Sequence, residues 1–417
     1  MGLFWYLIFK KGDKNMKRID GEVFNLDKTN EKKIEKTDEE INAKYKKGEI
    51  RIVTEQARYP IKNIRGMLES GDYKRNPEYQ RRKRWDNGKK SRLIESFIIN
   101  VPLPPIFLYE YEYSKYEVMD GLQRLTAIDD FYMDSFALEG LEYWQELEGK
   151  KYSELPSEIK AGIDRRYLSS IILLQETAKD DKEAEELKQI VFERLNSGGE
   201  DLTGQETRNA LYPGEFNQLC IELSKNKIFK KMWRIPSDEE MLDEKKLIDE
   251  KIYRLTEIER YKKMEDVELI LRFFAFRYLN LYNHIMRDFL DEYLKKANRW
   301  PENTLKELGQ LFTDTIELGY NIFGKDAFTL IGLQRNDKPS NTVTKTIYEP
   351  LMQSLSKYLE YKDKLLDYKE EINTNKFSNK NDLILPNGKE LFDGKYAHKG
   401  VLEKRIEYFD KLFEQYI

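Results

Sequence analysis

Strand-forming patterns fill the first half of this 417-residue chain and nearly vanish beyond residue 226. A chain patterned this way cannot spread one sheet over its whole length. It has to build a mixed α/β body first and a helical body after it. The expected fold class is therefore α+β, with a polar lead-in over residues 1–50, a small mixed domain over 51–215 and an all-α domain over 226–417. A composition shift puts the boundary near 215–235. Hydrophobic residues make up 40% of the chain, enough for two real cores.

The individual elements follow from periodicity. Arg51–Thr54 has a short β-type pattern, followed by a helix ending near Gly71. Lys89 to Asn100 is helical, with Leu93, Ile94, Phe97 and Ile98 as its apolar face, and Pro102, Pro104 and Pro105 end it. Ile106–Tyr111 and Tyr116–Met119 look like two strands joined by a tight turn at Ser114-Lys115. Tyr167–Gln175 is a further strand, apolar enough to be central. Asp180–Leu195 is an amphipathic helix that stops at Asn196-Ser-Gly-Gly199. Thr203 and Glu206 have the spacing of a capping box. Further on, helices are expected over Met264–Asp288, 302–324, 343–371 and 400–416, with a polar loop over 373–395.

Charge and rare residues exclude several chemistries. Charged residues are 35% of the chain, but the net charge is only −4, so nucleic-acid contact has to come from a local patch. Cys220 alone rules out an internal disulfide and a cysteine-based zinc site, and suits a cytoplasmic protein. His284 and His398 are far apart, so no metal site is expected, and a histidine–metal nuclease does not fit. Leu3–Phe9 is too short an apolar run to span a bilayer, and it lacks the flanks of a signal peptide. The first ~20 residues read as a frayed or locally packed end, with Met16 a second candidate start. Walker-type, G-x-G-x-x-G and H-E-x-x-H motifs are absent.

Two segments carry chemistry. At Tyr116–Ile128 a strand stops at Asp120-Gly121 and a helix starts at once. Such a junction presents free backbone N–H groups and the positive end of a helix dipole, with Asp120 and Arg124 flanking it. An ordinary turn with a capping Asp and a surface ion pair would show the same residues. Lys74–Arg92 holds nine basic residues against two acidic ones, with Tyr79 and Trp85 interleaved. It is either a phosphate-tracking patch or a solvated loop anchored by its aromatics. Arg194 and Asn196 beside Gly198-Gly199 could clamp a phosphate, though a helix C-terminus looks the same and its dipole repels anions.

Six ordered blocks resemble the N-terminal domain of GmrSD-type restriction enzymes, of the ParB/sulfiredoxin-like superfamily. They are Tyr79-Gln-Arg81 with Trp85, Leu93-Ile-Glu-Ser96, Val101-Pro-Leu-Pro-Pro105, Asp120-Gly-Leu-Gln-Arg124, Phe192–Gly199 and Gln205–Asn209. The resemblance covers residues ~50–215, and the helical remainder looks like the all-α region that follows this domain. It implies a small nucleotide-binding α/β fold, with Tyr79, Gln80 and Arg81 facing the pocket, Asp120, Gly121, Gln123 and Arg124 lining it, and Asn196 closing it. Leu122 stands where the family usually has the first Gln of Asp-Gly-Gln-Gln-Arg, which removes one polar contact. The His/Asn-based (HNH) nuclease domain commonly fused to this module is not visible.

Three functions follow. The first is a phage-defence protein acting on DNA, modified phage DNA included, by base excision or strand cleavage. Asp120 would be its carboxylate, Gln123 and Arg124 would position phosphate or base, and Arg82, Lys83, Arg84, Trp85, Lys89 and Lys90 would hold the DNA. The second is a sensor that binds or hydrolyses an NTP with Mg²⁺, Arg81 and Arg124 on the phosphates, and signals to a separate effector protein. The third is a non-enzymatic DNA-binding scaffold.

Overall fold

The computed structural model describes residues 18–26, 37–47, 52–74, 85–174, 181–196, 203–282, 285–331, 333, 341–386, 388–394 and 398–417. The chain divides into two compact units, Thr29–Leu211 and Met1–Lys28 with Tyr212–Ile417.

The first unit is built on a five-stranded mixed sheet. Its strands are β1 (Thr54–Pro60), β2 (Tyr73–Lys74), β3 (Ile106–Glu112), β4 (Lys115–Asp120) and β5 (Tyr167–Leu173), in the order β1-β5-β3-β4-β2. β3 and β4 form the expected hairpin, turned at Tyr113-Ser114, with Ser114 left-handed at φ 60°. β5 runs parallel to β3, which demands a crossover, and β1 and β2 close the edges. β5 is internal, as its apolar run predicts, while β3 holds the middle of the sheet.

The helices of this unit are α1 (Asp38–Lys47), α2 (Ile64–Glu69), α3 (Asn87–Ile99), α4 (Leu122–Tyr132), α5 (Ser157–Asp164), α6 (Asp181–Asn196) and α7 (Gly204–Leu211). Asp86 caps α3 by accepting the Lys89 N–H at 2.7 Å, and Asn100 ends it in the left-handed region. Leu93, Ile94 and Phe97 of α3 meet Leu125, Ile128 and Phe131 of α4 and Ile106, Leu108 and Val118 of the sheet in one apolar core. On β4, Glu117 has the opposite parity to the core residue Val118. It is met by Lys188 of α6 at 2.6 Å, and both side chains are buried. The Thr203–Glu206 capping box forms in both directions, at 2.8 and 3.3 Å.

The second unit is helical: α8 (Glu215–Ser224), α9 (Lys227–Trp233), α10 (Glu244–Asp249), α11 (Leu255–Lys262), α12 (Glu265–Ala275), α13 (Met286–Ala297), α14 (Glu302–Phe323), α15 (Lys345–Lys357), α16 (Lys362–Asp367), α17 (Lys369–Thr374) and α18 (Lys399–Glu414). Edge-to-face rings of Phe216, Phe229, Phe273, Phe274 and Phe312 fill its centre.

Two expected long helices are broken. Met264–Asp288 is interrupted by a 3₁₀ stretch, Phe276–Leu281, with Tyr278 at φ −112°, ψ 36°. There Arg277 and Tyr278 turn to the N-terminal residues: Arg277 holds the Glu22 carboxylate at 2.6 and 2.7 Å, and the Tyr278 hydroxyl donates to the Glu22 carbonyl at 2.7 Å. The 343–371 stretch becomes α15, a 3₁₀ turn at Leu359–Tyr361, α16 and α17. His284 lies outside the described residues.

Candidate functional site

The β4–α4 junction forms because the β pattern of Lys115–Asp120 meets a glycine that can reverse the chain. Gly121 takes φ 99°, ψ 5° at the N-cap of α4. A Cβ there would lie 2.3 Å from Ile106 Cγ2, so only glycine fits. Glycine also brings no capping side chain. Among the described residues no acceptor meets the first-turn N–H groups of Leu122, Gln123 and Arg124, and the first intrahelical bond is Leu125 N–H to Gly121 O at 2.9 Å. The first-turn N–H groups of this eleven-residue helix therefore have no protein acceptor among the described residues.

Asp120 and Arg124 meet beside it. Arg124 Nη2 lies 2.7 Å from Asp120 Oδ2; the Asp120 side chain is 47% exposed and that of Arg124 only 11%. The guanidinium also donates to the carbonyl of Pro104 through Nη1 and to that of Pro105 at 3.3 Å through Nη2. Burial pulls the pKa of Arg124 below its ordinary value, and the adjacent Asp120 opposes that shift. Arg124 thus ties the entry of β3 to the exit of β4, while Asp120 keeps one face in solvent. In the ordinary-turn reading Asp120 caps the helix; instead its carboxylate pairs with Arg124.

Gln123 links the junction to the basic segment: its Oε1 accepts the Trp85 backbone N–H at 3.1 Å. The Trp85 ring packs against the apolar core. Lys89 sits in the first turn of α3, next to the Asp86 cap. Lys90 reaches across to α4, where Asp130 Oδ2 holds its ammonium at 2.7 Å. An ammonium already held by a carboxylate is a weaker phosphate contact than a free one. Tyr79, Gln80, Arg81, Arg82, Lys83 and Arg84 lie outside the described residues, as do Ser197, Gly198 and Gly199. Asn196 is the last residue of α6, and its side chain also lies outside the described set.

Leu122 is buried in the apolar core, so at this position the side chain serves packing rather than a polar wall. Sequence reasoning did not single out Pro104 and Pro105 as acceptors, Asp130 as the partner of Lys90, or Glu95. The Glu95 carboxylate is buried on α3 and accepts the backbone N–H groups of Glu142, Tyr143 and Trp144 at 2.8–3.2 Å. These partners lie 19–49 positions away in the chain.

Among the described residues no group of three His, Cys, Asp or Glu side chains could hold a metal ion, and no helix is long and apolar enough to cross a membrane. Compared with known proteins, residues 61–213 match the family described as "GmrSD restriction endonuclease, N-terminal domain". The comparisons with curated proteins and with solved structures give no match. Strands β2 to β5, the Asp120–Arg124 junction and α3 fall inside the matched span, β1 precedes it, and residues 61–213 carry the match to the GmrSD-type N-terminal domain.

Proposed function

We propose that this protein belongs to a restriction system that defends against phage, and that it acts on DNA through a phosphate held at the β4–α4 junction. The observation carrying this reading is the pairing of an open helix N-terminus with Asp120 and Arg124, inside a domain matched to a restriction family. In the DNA-acting form, the junction takes a backbone phosphate. The half-exposed Asp120 carboxylate activates water or stabilises an oxocarbenium-like centre at an extruded base. The basic segment Lys74–Arg92, whose Trp85 backbone N–H is held by Gln123, tracks the strand.

A second reading is favoured by the same unpaired N–H groups. They suit the phosphates of an NTP as well as those of DNA, with Asp120 as the carboxylate next to the phosphate-bound Mg²⁺. The chain would then be a nucleotide-gated DNA sensor that signals to an effector protein.

One experiment separates the readings. Purified protein is incubated with modified and unmodified phage DNA, with and without NTP and Mg²⁺, and scored for nicks, abasic sites and released phosphate. Abasic sites or nicks that disappear in Asp120→Ala support the DNA chemistry. Phosphate release stimulated by DNA supports the sensor. Salt-dependent DNA binding with neither product leaves a scaffold and overturns both.

A further inference from the structure

The helical unit contains a cavity of about 480 Å³ that the β4–α4 junction does not involve. Ile331, Leu333, Leu383 and Phe392 give it an apolar wall, and Lys376 is set in that wall. Its size falls in the range of small-molecule sites, which combine an apolar lining with a few polar groups.

Lys376 is an unusual residue to find there. It is 6% exposed, and its ammonium donates to the carbonyls of Ala327 at 2.6 Å and Thr329 at 3.2 Å. Among the described residues no carboxylate lies within ion-pair distance of it. Asp326 acts on it only from further off and is itself held by Arg234 at 2.7 Å. The rings of Phe377 and Phe323 lie 5.1 and 5.5 Å from the ammonium, so it has two carbonyls and two aromatic faces but, among the described residues, no counter-charge within ion-pair distance. We propose that this cavity binds a small organic anion, an apolar or aromatic body bearing a carboxylate, phosphate or sulfonate group, with Lys376 supplying the opposite charge.

Burial lowers the pKa of Lys376 to about 7, with Asp326 opposing. Glu390 shares the cavity wall. Tyr408 of α18 donates its hydroxyl to the Lys376 carbonyl at 3.1 Å, and burial raises its pKa out of the working range. Asp382, which acts on Tyr408, is paired with Lys411 at 3.6 Å. An anion that needs the charged lysine therefore binds more tightly as pH falls through 7.

The test uses two fluorescent probes with the full-length protein. Anilinonaphthalene sulfonate keeps its negative charge throughout; N-phenyl-1-naphthylamine is the uncharged counterpart. The sulfonate should bind saturably, about tenfold or more tighter at pH 6 than at pH 8.5, because only the protonated fraction is competent. The uncharged probe should show no such dependence. Lys376→Met should weaken the sulfonate about tenfold at pH 6, abolish its pH dependence and leave the uncharged probe bound. Ser378→Trp, at the exposed rim of the cavity, should exclude both probes, and it decides the matter if Lys376→Met does not fold. Absence of saturable sulfonate binding, binding of equal strength at both pH values, or binding that survives Ser378→Trp overturns the proposal.

Discussion

Gly121 joins backbone geometry and chemistry at a single position. Its positive φ and the close approach of Ile106 both exclude a side chain. Gly121→Ala should cost about 2–4 kcal/mol, from left-handed strain plus overpacking against a buried β-branched residue. Thermal melting should show the loss; an unchanged midpoint would mean that the junction is not held as described. Asp120 and Arg124 should behave differently although they touch. The Asp120 side chain is half in solvent and its partner Arg124 keeps two carbonyl acceptors, so Asp120→Ala should abolish activity on DNA or NTP while costing about 1–2 kcal/mol of stability for the guanidinium left without its anion. Arg124→Ala strips the Pro104 and Pro105 carbonyls of their donor and should destabilise the fold by about 1–3 kcal/mol as well. Arg124→Lys should not rescue it, since a point ammonium cannot reproduce a fork that serves three acceptors. Urea titration alongside the activity assay distinguishes the two residues. The i,i+4 spacing of Asp120 and Arg124 was legible in the sequence, because once a helix starts at Leu122 its geometry brings them together. Their proline acceptors were not legible, because nothing local says that the 104–105 backbone passes beside that helix.

At the scale of elements, α3 organises the junction. It is tied to α4 by the Lys90–Asp130 pair and by their shared apolar faces, and to the following loop by Glu95. Burial alone would raise the pKa of Glu95, but the N–H groups of Tyr143, Glu142 and Trp144 more than offset it and hold the carboxyl below the ordinary glutamate value of 4.5. A depressed folded-state pKa means that the ionised carboxylate stabilises the fold above about pH 4.5, and that this contribution is lost as pH falls through the folded value. Glu95→Gln keeps one accepting oxygen but puts an amide NH₂ where the other stood, so at least one of the three N–H groups faces a donor, which should cost about 1–3 kcal/mol at pH 7. Its stability should then vary less between pH 7 and pH 3 than that of the wild type; parallel profiles would remove Glu95 from this role. The helix faces themselves were readable: Leu93, Ile94 and Phe97 lie inward as their spacing requires.

For the whole molecule, the N-terminal segment 18–26 is part of the helical unit. Glu22 is buried with Arg277, and the Phe24 ring packs edge-on against Tyr278, Phe289 and Tyr293. Glu22→Gln leaves a buried guanidinium without its anionic partner, and should destabilise the helical unit by about 3–5 kcal/mol. Calorimetry should show a lowered melting transition for that unit, whereas an unaltered one would mean that the segment only rests on the surface. Polar composition gave no hint of this docking, since a charged residue reads as solvated until its partner, 255 positions away, is known. The sequence by itself determined the two-part α+β organisation, the strand–glycine–helix junction and the Thr203–Glu206 capping box, because each depends on residues only a few positions apart. Only the tertiary structure decided where Arg124, Lys90, Glu95 and Glu22 find their partners, and where the long aromatic helix breaks. Those outcomes depend on which distant segment arrives alongside, and a buried charge takes whatever complement the fold brings within reach.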